Sequence, residues 1–308
     1  MGTVKVVAPA KVNLYLGIGD RRPDGYHDVE TVMHALALHD LVTVSVHPAA
    51  PGTGLAVAVT VAERGGVAPL DVAPQDNIAY KAAHRLADAF GRCADEEVRI
   101  AIDKSIPHGA GLGGGSADAA AVIVGLCALW GEDPAGDAAV RVAGSLGADV
   151  AFFLYGGCAR MSGSGESLEA RLGPGKSTLV LVRPDQGVST AAAYRAFDEA
   201  PVAIPSARRS AMLSAACAQE VPLVNNLAPA AAALLPELER IREWLAGCDG
   251  VEHDAEGNPC VLLCGSGSTT FAVCEGFDAA YRICAEARNR GFWSRTTNLS
   301  GIRAAVLR

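Results

Sequence analysis

The sequence predicts a two-domain α+β protein, on three observations. The first 62 residues carry alternating and β-branched runs of strand type. A glycine-rich stretch at 107–116 opens a long apolar helix. The second half closes in strand–helix–strand–strand–helix–strand order with extra helices inserted, the pattern of a ferredoxin-like sandwich. Half of the 308 residues are hydrophobic and 19% are charged, which supplies two cores and excludes wholesale disorder.

In order, strands are expected at Val4–Ala8, Val12–Ile18, Val42–Val46 and Ala56–Val61. Asp76 or Asn77 caps a helix running to about Phe90. A strand at Val98–Asp103 leads into the glycine loop, then come helices at about 116–130 and 135–146. The runs FFLYGG (152–157) and GCARM (157–161) read as strands. Gly, Ser and Pro are dense over 162–176, which sets the expected domains at 1–165 and 166–308. Beyond that, a strand at Thr178–Arg183 precedes Ala-rich helical sequence from Thr190 to about Leu245, broken by five prolines. Strands at Cys260–Cys264 and Thr269–Cys274, a helix at Phe277–Arg290 and a strand at Trp293–Asn298 complete the chain.

Lys and Arg number 26 against 34 Asp and Glu, a net charge of −8, which excludes a general nucleic-acid binder because that needs a basic face. No apolar run reaches the ~18 residues of a membrane span, and no secretory signal is expected. The nine cysteines form no C-x-x-C pair and sit mostly in apolar runs, as reduced thiols of a cytoplasmic protein do. Cys260 and Cys264 have no histidine cluster beside them, so no metal site is expected there.

Three glycine-rich segments bear on function. Pro107, His108, Gly109, Ala110, Gly111, Leu112, Gly113, Gly114, Gly115 and Ser116 precede Ala117 at the head of a helix. A backbone without Cβ atoms can approach a ligand closely, and free N–H groups at the positive end of a helix bind anions. Gly109, Gly111 and Gly114 also satisfy G-x-G-x-x-G, but Pro107 interrupts the strand entry, and the acids at the required distance, Glu132 and Asp133, fall between two helices. Residues 170–177 approach a Walker A motif ending in Lys176, with Ala170 in place of its first glycine and a strand where a helix should follow. The stretch Gly265-Ser266-Gly267-Ser268-Thr269 joins two strands. It is either a plain turn or a tip lying against another loop or a ligand.

The 107–117 loop resembles the phosphate-binding motif of the GHMP kinases, the family of galactokinase, homoserine kinase and mevalonate kinase, and the GSGST stretch resembles that family's C-terminal motif. Pro9-Ala10-Lys11-Val12-Asn13-Leu14 and the RRPDGYH run at 21–27 are similar to the branch that acts on 4-diphosphocytidyl-2-C-methyl-D-erythritol. The resemblance implies a GHMP kinase fold: an N-terminal ATP-binding domain like the second domain of ribosomal protein S5, a ferredoxin-like C-terminal domain, and a site between them. It implies phosphoryl transfer from ATP to the 2-hydroxyl of that substrate, in the non-mevalonate route to isoprenoid precursors.

The resemblance also implies roles. Asp149, in the segment LGADVAFF, becomes the base or orienter of the attacking hydroxyl, where the residues alone allow either a cap or a functional charge. Ala151 stands where the family has proline. Lys11 stands beside the transferring phosphoryl as a point charge. Asn13, Tyr26 and His27 fall on the cytidine side, with Tyr194 as a second stacking face. Asn77 and Lys104 fall on the nucleotide side together with residues 107–117. Ser116 contacts phosphate or Mg²⁺, and since no carboxylate cage is evident, Mg²⁺ arrives with ATP and water. The alternatives are another small-molecule GHMP kinase, of homoserine or mevalonate type, or a dinucleotide-binding oxidoreductase.

Overall fold

A computed structural model describes residues 2–23, 25–69 and 72–307. Asp24, within RRPDGYH, lies outside the described residues. Two long strands open the chain, β1 (Gly2–Arg21) and β2 (His27–Pro48), followed by β3 (Leu55–Glu63), α1 (Ile78–Phe90), β4 (Glu96–Lys104), α2 (Gly114–Trp130), α3 (Asp137–Leu146) and α4 (Ala148–Tyr155). A hairpin of β5 (Cys158–Ser162) and β6 (Ser167–Leu172) comes next. The second half runs through β7 (Thr178–Arg183), α5 (Thr190–Glu199), α6 (Ser206–Ser214), β8 (Val224–Asn225), α7 (Ala228–Leu234), α8 (Glu237–Ala246), β9 (Val261–Leu263), β10 (Thr270–Cys274), α9 (Phe277–Asn289), β11 (Trp293–Asn298) and β12 (Ala305–Val306).

The expected strands at Val4–Ala8 and Val12–Ile18 are one strand. β1 pairs antiparallel with β2 along nearly its whole length, with register shifts at Pro9/Lys11, Asn13/Tyr15 and Ile18/Arg21. A bulge re-aims the side chains that follow it, and the first of these shifts falls at Lys11. The larger sheet runs β12-β1-β2-β4-β3, with β5 on β2, β6 on β5 and β8 on β1. The smaller sheet runs β11-β7-β10-β9, antiparallel throughout, the strand order of a ferredoxin-like sandwich. The expected boundary at 165/166 falls inside the β5–β6 hairpin. That hairpin stays hydrogen-bonded to the larger sheet, and residues 173–177 cross to the smaller one.

Helix α2 is apolar nearly all round, because it is packed on most sides by β1, β2, α1 and α4. The run FFLYGG is not a strand. Residues 148–155 form α4, with Val150 to Leu154 buried, and Gly156 ends it at φ 65°. A short continuous apolar run has no period to distinguish strand from helix. The change matters because Asp149 sits in the first turn of a helix, at its positive end.

His34 is fully buried and fastens the crossing segment. Its Nδ1–H donates to the Ala35 carbonyl at 2.8 Å, and its Nε2 accepts the Gly175 N–H at 2.8 Å. Both partners have fixed roles, so the ring is neutral with the proton on Nδ1. No helix among the described residues is long and apolar enough to cross a membrane. All nine cysteines are free thiols.

Candidate active site

The glycine loop is held on two sides. Lys11 N–H donates to the Leu112 carbonyl at 3.0 Å, and Thr269 N–H donates to the Ala110 carbonyl at 3.1 Å. The 265–269 stretch is therefore a tip packed on the first loop, not a plain turn. Contact is closest at Gly111: at φ 76° a Cβ there would lie 2.2 Å from the Cys264 carbonyl oxygen. Gly113, at φ 72°, precedes the first turn of α2, and no side chain caps that turn. Its N–H groups have no intrahelical acceptor, an arrangement that can hold an anion.

Beside this turn lies a cavity of about 300 Å³, lined by Lys11, Asn13, Gly113, Ser116, Asp149 and Ser266 among others. Lys11 is 4% exposed. Its ammonium lies 2.7 Å from Asn13 Oδ1 and 3.4 Å from Asp149 Oδ2. Asn13 Nδ2 donates to Thr31 Oγ1 at 2.9 Å, and the Thr31 hydroxyl donates to the Tyr15 carbonyl at 2.7 Å. This relay fixes the Asn13 amide and, through it, the direction of the ammonium. The Asp149 side chain is one-third exposed and faces the cavity. A carboxylate and a buried cation around one void, next to an uncapped helix N-terminus, suit transfer of an anionic group to a hydroxyl.

A second cavity of about 980 Å³ shares Val29, Ala148, Ser164, Thr190 and Tyr194 with the first, so the two form one trough. Its walls include Tyr26, His27, Arg21, Arg195 and Asp198. His27 is buried, with Nε2 2.6 Å from Asp198 Oδ1. The His27 ring stands 5.2 Å from Tyr194 at 47° and edge-on to Phe197 at 6.3 Å. Burial, helped by the Asp149 carboxylate, pushes the Tyr194 phenol up to about 12, so it stays protonated. Tyr26 is 65% exposed at the mouth.

The structure thus brings Lys11, Asn13, Ser116 and Asp149 to the inner end and Tyr26, His27 and Tyr194 to the outer end. Asn13, expected on the cytidine side with Tyr26 and His27, stands beside Lys11 instead, because the β1 bulges turn it inward. Asn77 caps α1, its Oδ1 accepting the Ala79 N–H at 2.9 Å. Lys104, expected as a nucleotide contact, is 2% exposed and bonded to Asp40 and Asp118, away from both cavities. The Arg183 guanidinium donates to the His108 carbonyl at 3.1 Å. Lys176 of the Walker look-alike is exposed, and that segment leads into strand β7. Sequence reasoning missed Thr31, Asp198 and Arg195. The spacing of Tyr194, Phe197 and Asp198 on one face of α5 was the available signal for Asp198.

Among the described residues, no group of three or more His, Cys, Asp or Glu is gathered to hold a metal ion. Among the oxygen-bearing side chains that line the inner cavity, Ser116 and Asp149 suit a hard cation that arrives with its own oxygen ligands.

Residues 77–157 match the model of the GHMP kinases N-terminal domain. The chain is similar to 4-diphosphocytidyl-2-C-methyl-D-erythritol kinase of Nocardia farcinica, 40% identical over 97% of this chain and 94% of the relative. It is similar to the kinase of that name from Desulfitobacterium hafniense, 37% identical over 94% and 93%. A crystal structure of 4-(cytidine 5'-diphospho)-2C-methyl-D-erythritol kinase superposes with TM-score 0.70 at 35% identity, covering 96% of this chain and 99% of the other. Homoserine kinase from Cytophaga hutchinsonii superposes with TM-score 0.67 at 19% identity, covering 100% and 98%, a likeness of fold alone.

Proposed function

The chain belongs to the 4-diphosphocytidyl-2-C-methyl-D-erythritol kinases, a branch of the GHMP kinases, and from that premise we propose that its trough phosphorylates the 2-hydroxyl of that substrate with ATP. The observation that carries the reading is the Lys11–Asp149 pair, 3.4 Å apart, standing between the uncapped turn of α2 and the His27–Tyr194 mouth.

ATP lays its phosphates along the first turn of α2, with Ser116 beside them. The attacking hydroxyl approaches Asp149. As the new O–P bond forms and the bond from the γ-phosphorus to the ADP oxygen breaks, the hydroxyl proton passes to the Asp149 carboxylate. Lys11 faces the transferring phosphoryl and offsets the charge spread over its oxygens, while Asn13 and Thr31 hold the ammonium in line. Ser116 and Asp149, which line the inner cavity, would hold a Mg²⁺ arriving with ATP, and the ion would supply neutralisation of phosphate charge. The products are ADP and the 2-phosphate. The cytidine lies in the outer cavity, between the faces of Tyr26 and Tyr194. His27, held at Nε2 by the Asp198 carboxylate, offers its other ring nitrogen to the polar edge of cytosine. The N-terminal domain holds ATP, the C-terminal domain supplies the GSGST tip, and nine free thiols fit a cytoplasmic enzyme.

A substrate panel tests this. ADP release, coupled to pyruvate kinase and lactate dehydrogenase, is expected with the cytidylated substrate and not with homoserine or mevalonate. Turnover of homoserine or mevalonate in its place contradicts the proposal.

A further inference from the structure

Beneath the glycine loop lies a cluster of charges that the proposed mechanism does not use. Lys104 is the last residue of β4, Asp40 lies on β2 and Asp118 on α2, and all three are buried. Lys104 Nζ donates to Asp40 Oδ2 at 2.5 Å and to Asp118 Oδ2 at 2.6 Å. The other Asp40 oxygen accepts the N–H groups of Ser105 and Ile106, at 2.5 and 2.8 Å. Asp118 Oδ1 is buried with no hydrogen-bond partner. None of the three side chains lines either cavity of the trough.

As a stabilising device this cluster is poorly composed. Two carboxylates share one ammonium, and one carboxylate oxygen goes unsatisfied. A buried charge network with an unfilled partner is worse for stability than an apolar replacement. Asp40 alone already neutralises Lys104, so Asp118 is surplus as a counter-ion. Sites that break such rules are expected where function requires them.

Its placement supplies the requirement. The connection from β4 to α2, residues 105–113, follows Lys104 directly and carries the glycine loop to the start of α2. Asp40 pins the first two N–H groups of that connection, just before Pro107. Asp118 ties the start of α2, two residues beyond Ser116 of the inner cavity, to the same ammonium. A Cβ on Gly114 would lie 2.9 Å from Lys104 Nζ, so the ammonium lies directly against the helix start. Both ends of the loop are anchored on one buried cation.

We propose that Lys104, Asp40 and Asp118 are positioning residues for ATP. They form a buried clamp that fixes both ends of the glycine loop and holds the first turn of α2 where its N–H groups meet the phosphates, without touching the nucleotide. The inference rests on the kinase reading above. Preorganised donors lose little on binding, so a loosened loop weakens the nucleotide's hold and leaves the acceptor's pocket intact.

Asp118→Ala separates this role from a structural one, since it leaves Lys104 and Asp40 as a balanced pair. The expected result is an ATP KM raised at least tenfold, with KM for the cytidylated substrate within twofold of wild type. Amide hydrogen exchange should accelerate over residues 105–117 and remain unchanged in the C-terminal sheet. Asp118→Asn keeps an acceptor for Lys104 and should restore ATP KM to within threefold of wild type, and it covers the case in which the alanine variant fails to fold. An unaltered ATP KM in Asp118→Ala, a parallel rise of both KM values with a general rise in exchange, or an asparagine variant as impaired as the alanine one overturns the clamp. A wild-type enzyme that releases no ADP with the cytidylated substrate refutes the kinase reading, a result distinct from failure of the clamp.

Discussion

Lys11→Met removes the ammonium and keeps most of the side-chain volume. At a separation from a phosphoryl oxygen like the 3.4 Å at which it stands from Asp149, a unit charge in an environment of effective dielectric near 20 interacts by about 5 kcal/mol. Two discounts apply. Water reaches the site, where Asp149 is one-third exposed, and screens the charge, and the ground-state phosphates feel part of the same attraction. Leaving roughly 3–4 kcal/mol for the transition state predicts a fall of about 10²–10³ in kcat. Stability should change little. The lost hydrogen bond to Asn13 borders a cavity that water can fill, at a cost of about 1 kcal/mol. The assay is coupled ADP release at saturating ATP and cytidylated substrate, with a thermal melt of the same preparation. A kcat within threefold of wild type refutes the assigned role, and an unfolded variant refutes the claim that Lys11 is dispensable to the fold.

His27→Ala removes the imidazole that joins Asp198 to the outer cavity. KM for the cytidylated substrate should rise by roughly 1.5–3 kcal/mol, tenfold or more, with kcat and ATP KM little changed; equal losses in both KM values contradict this. Gly111→Ala forces a left-handed backbone on alanine and drives its Cβ into the Cys264 carbonyl, which should cost about 2–4 kcal/mol in denaturant titration and abolish ATP binding; wild-type stability would sink the described packing of the two loops. Burial lowers the pKa of His34 below its ordinary value, so the unfolded chain takes up a proton first as pH falls. The neutral ring's contribution is complete above about pH 6.5 and is lost as pH falls from there towards the folded-state value. Tm measured between pH 7.5 and 5.5 should fall more steeply for wild type than for His34→Gln, and identical slopes contradict that role.

The sequence carried the architecture where punctuation was strong. Gly113 and Gly131 bound α2, Asn77 caps α1, and the β-α-β-β-α-β order of the second half predicted a sheet with its strands as observed. It failed where period was absent. VAFFL reads equally as strand or helix, and only its packing against α2 and α3 decides for helix. The bulges of β1 broke one strand into two apparent runs. In the site, residues carried by motifs arrived together, because Lys11, Asp149 and the glycine loop are fixed by backbone features local to each motif. Asn13 and Lys104 did not arrive as expected. A strand register and two distant carboxylates, Asp40 and Asp118, decide where they point, and neither partner is legible from spacing along the chain.

In the proposed mechanism this trough transfers the γ-phosphoryl of ATP through Asp149. Its most direct test compares ADP release by wild type and Asp149→Ala with the cytidylated substrate, both at saturation and both shown folded by circular dichroism. Turnover by wild type is expected, with a loss of several orders of magnitude in kcat for the variant and Tm within a few degrees. Near-full activity in Asp149→Ala would contradict it.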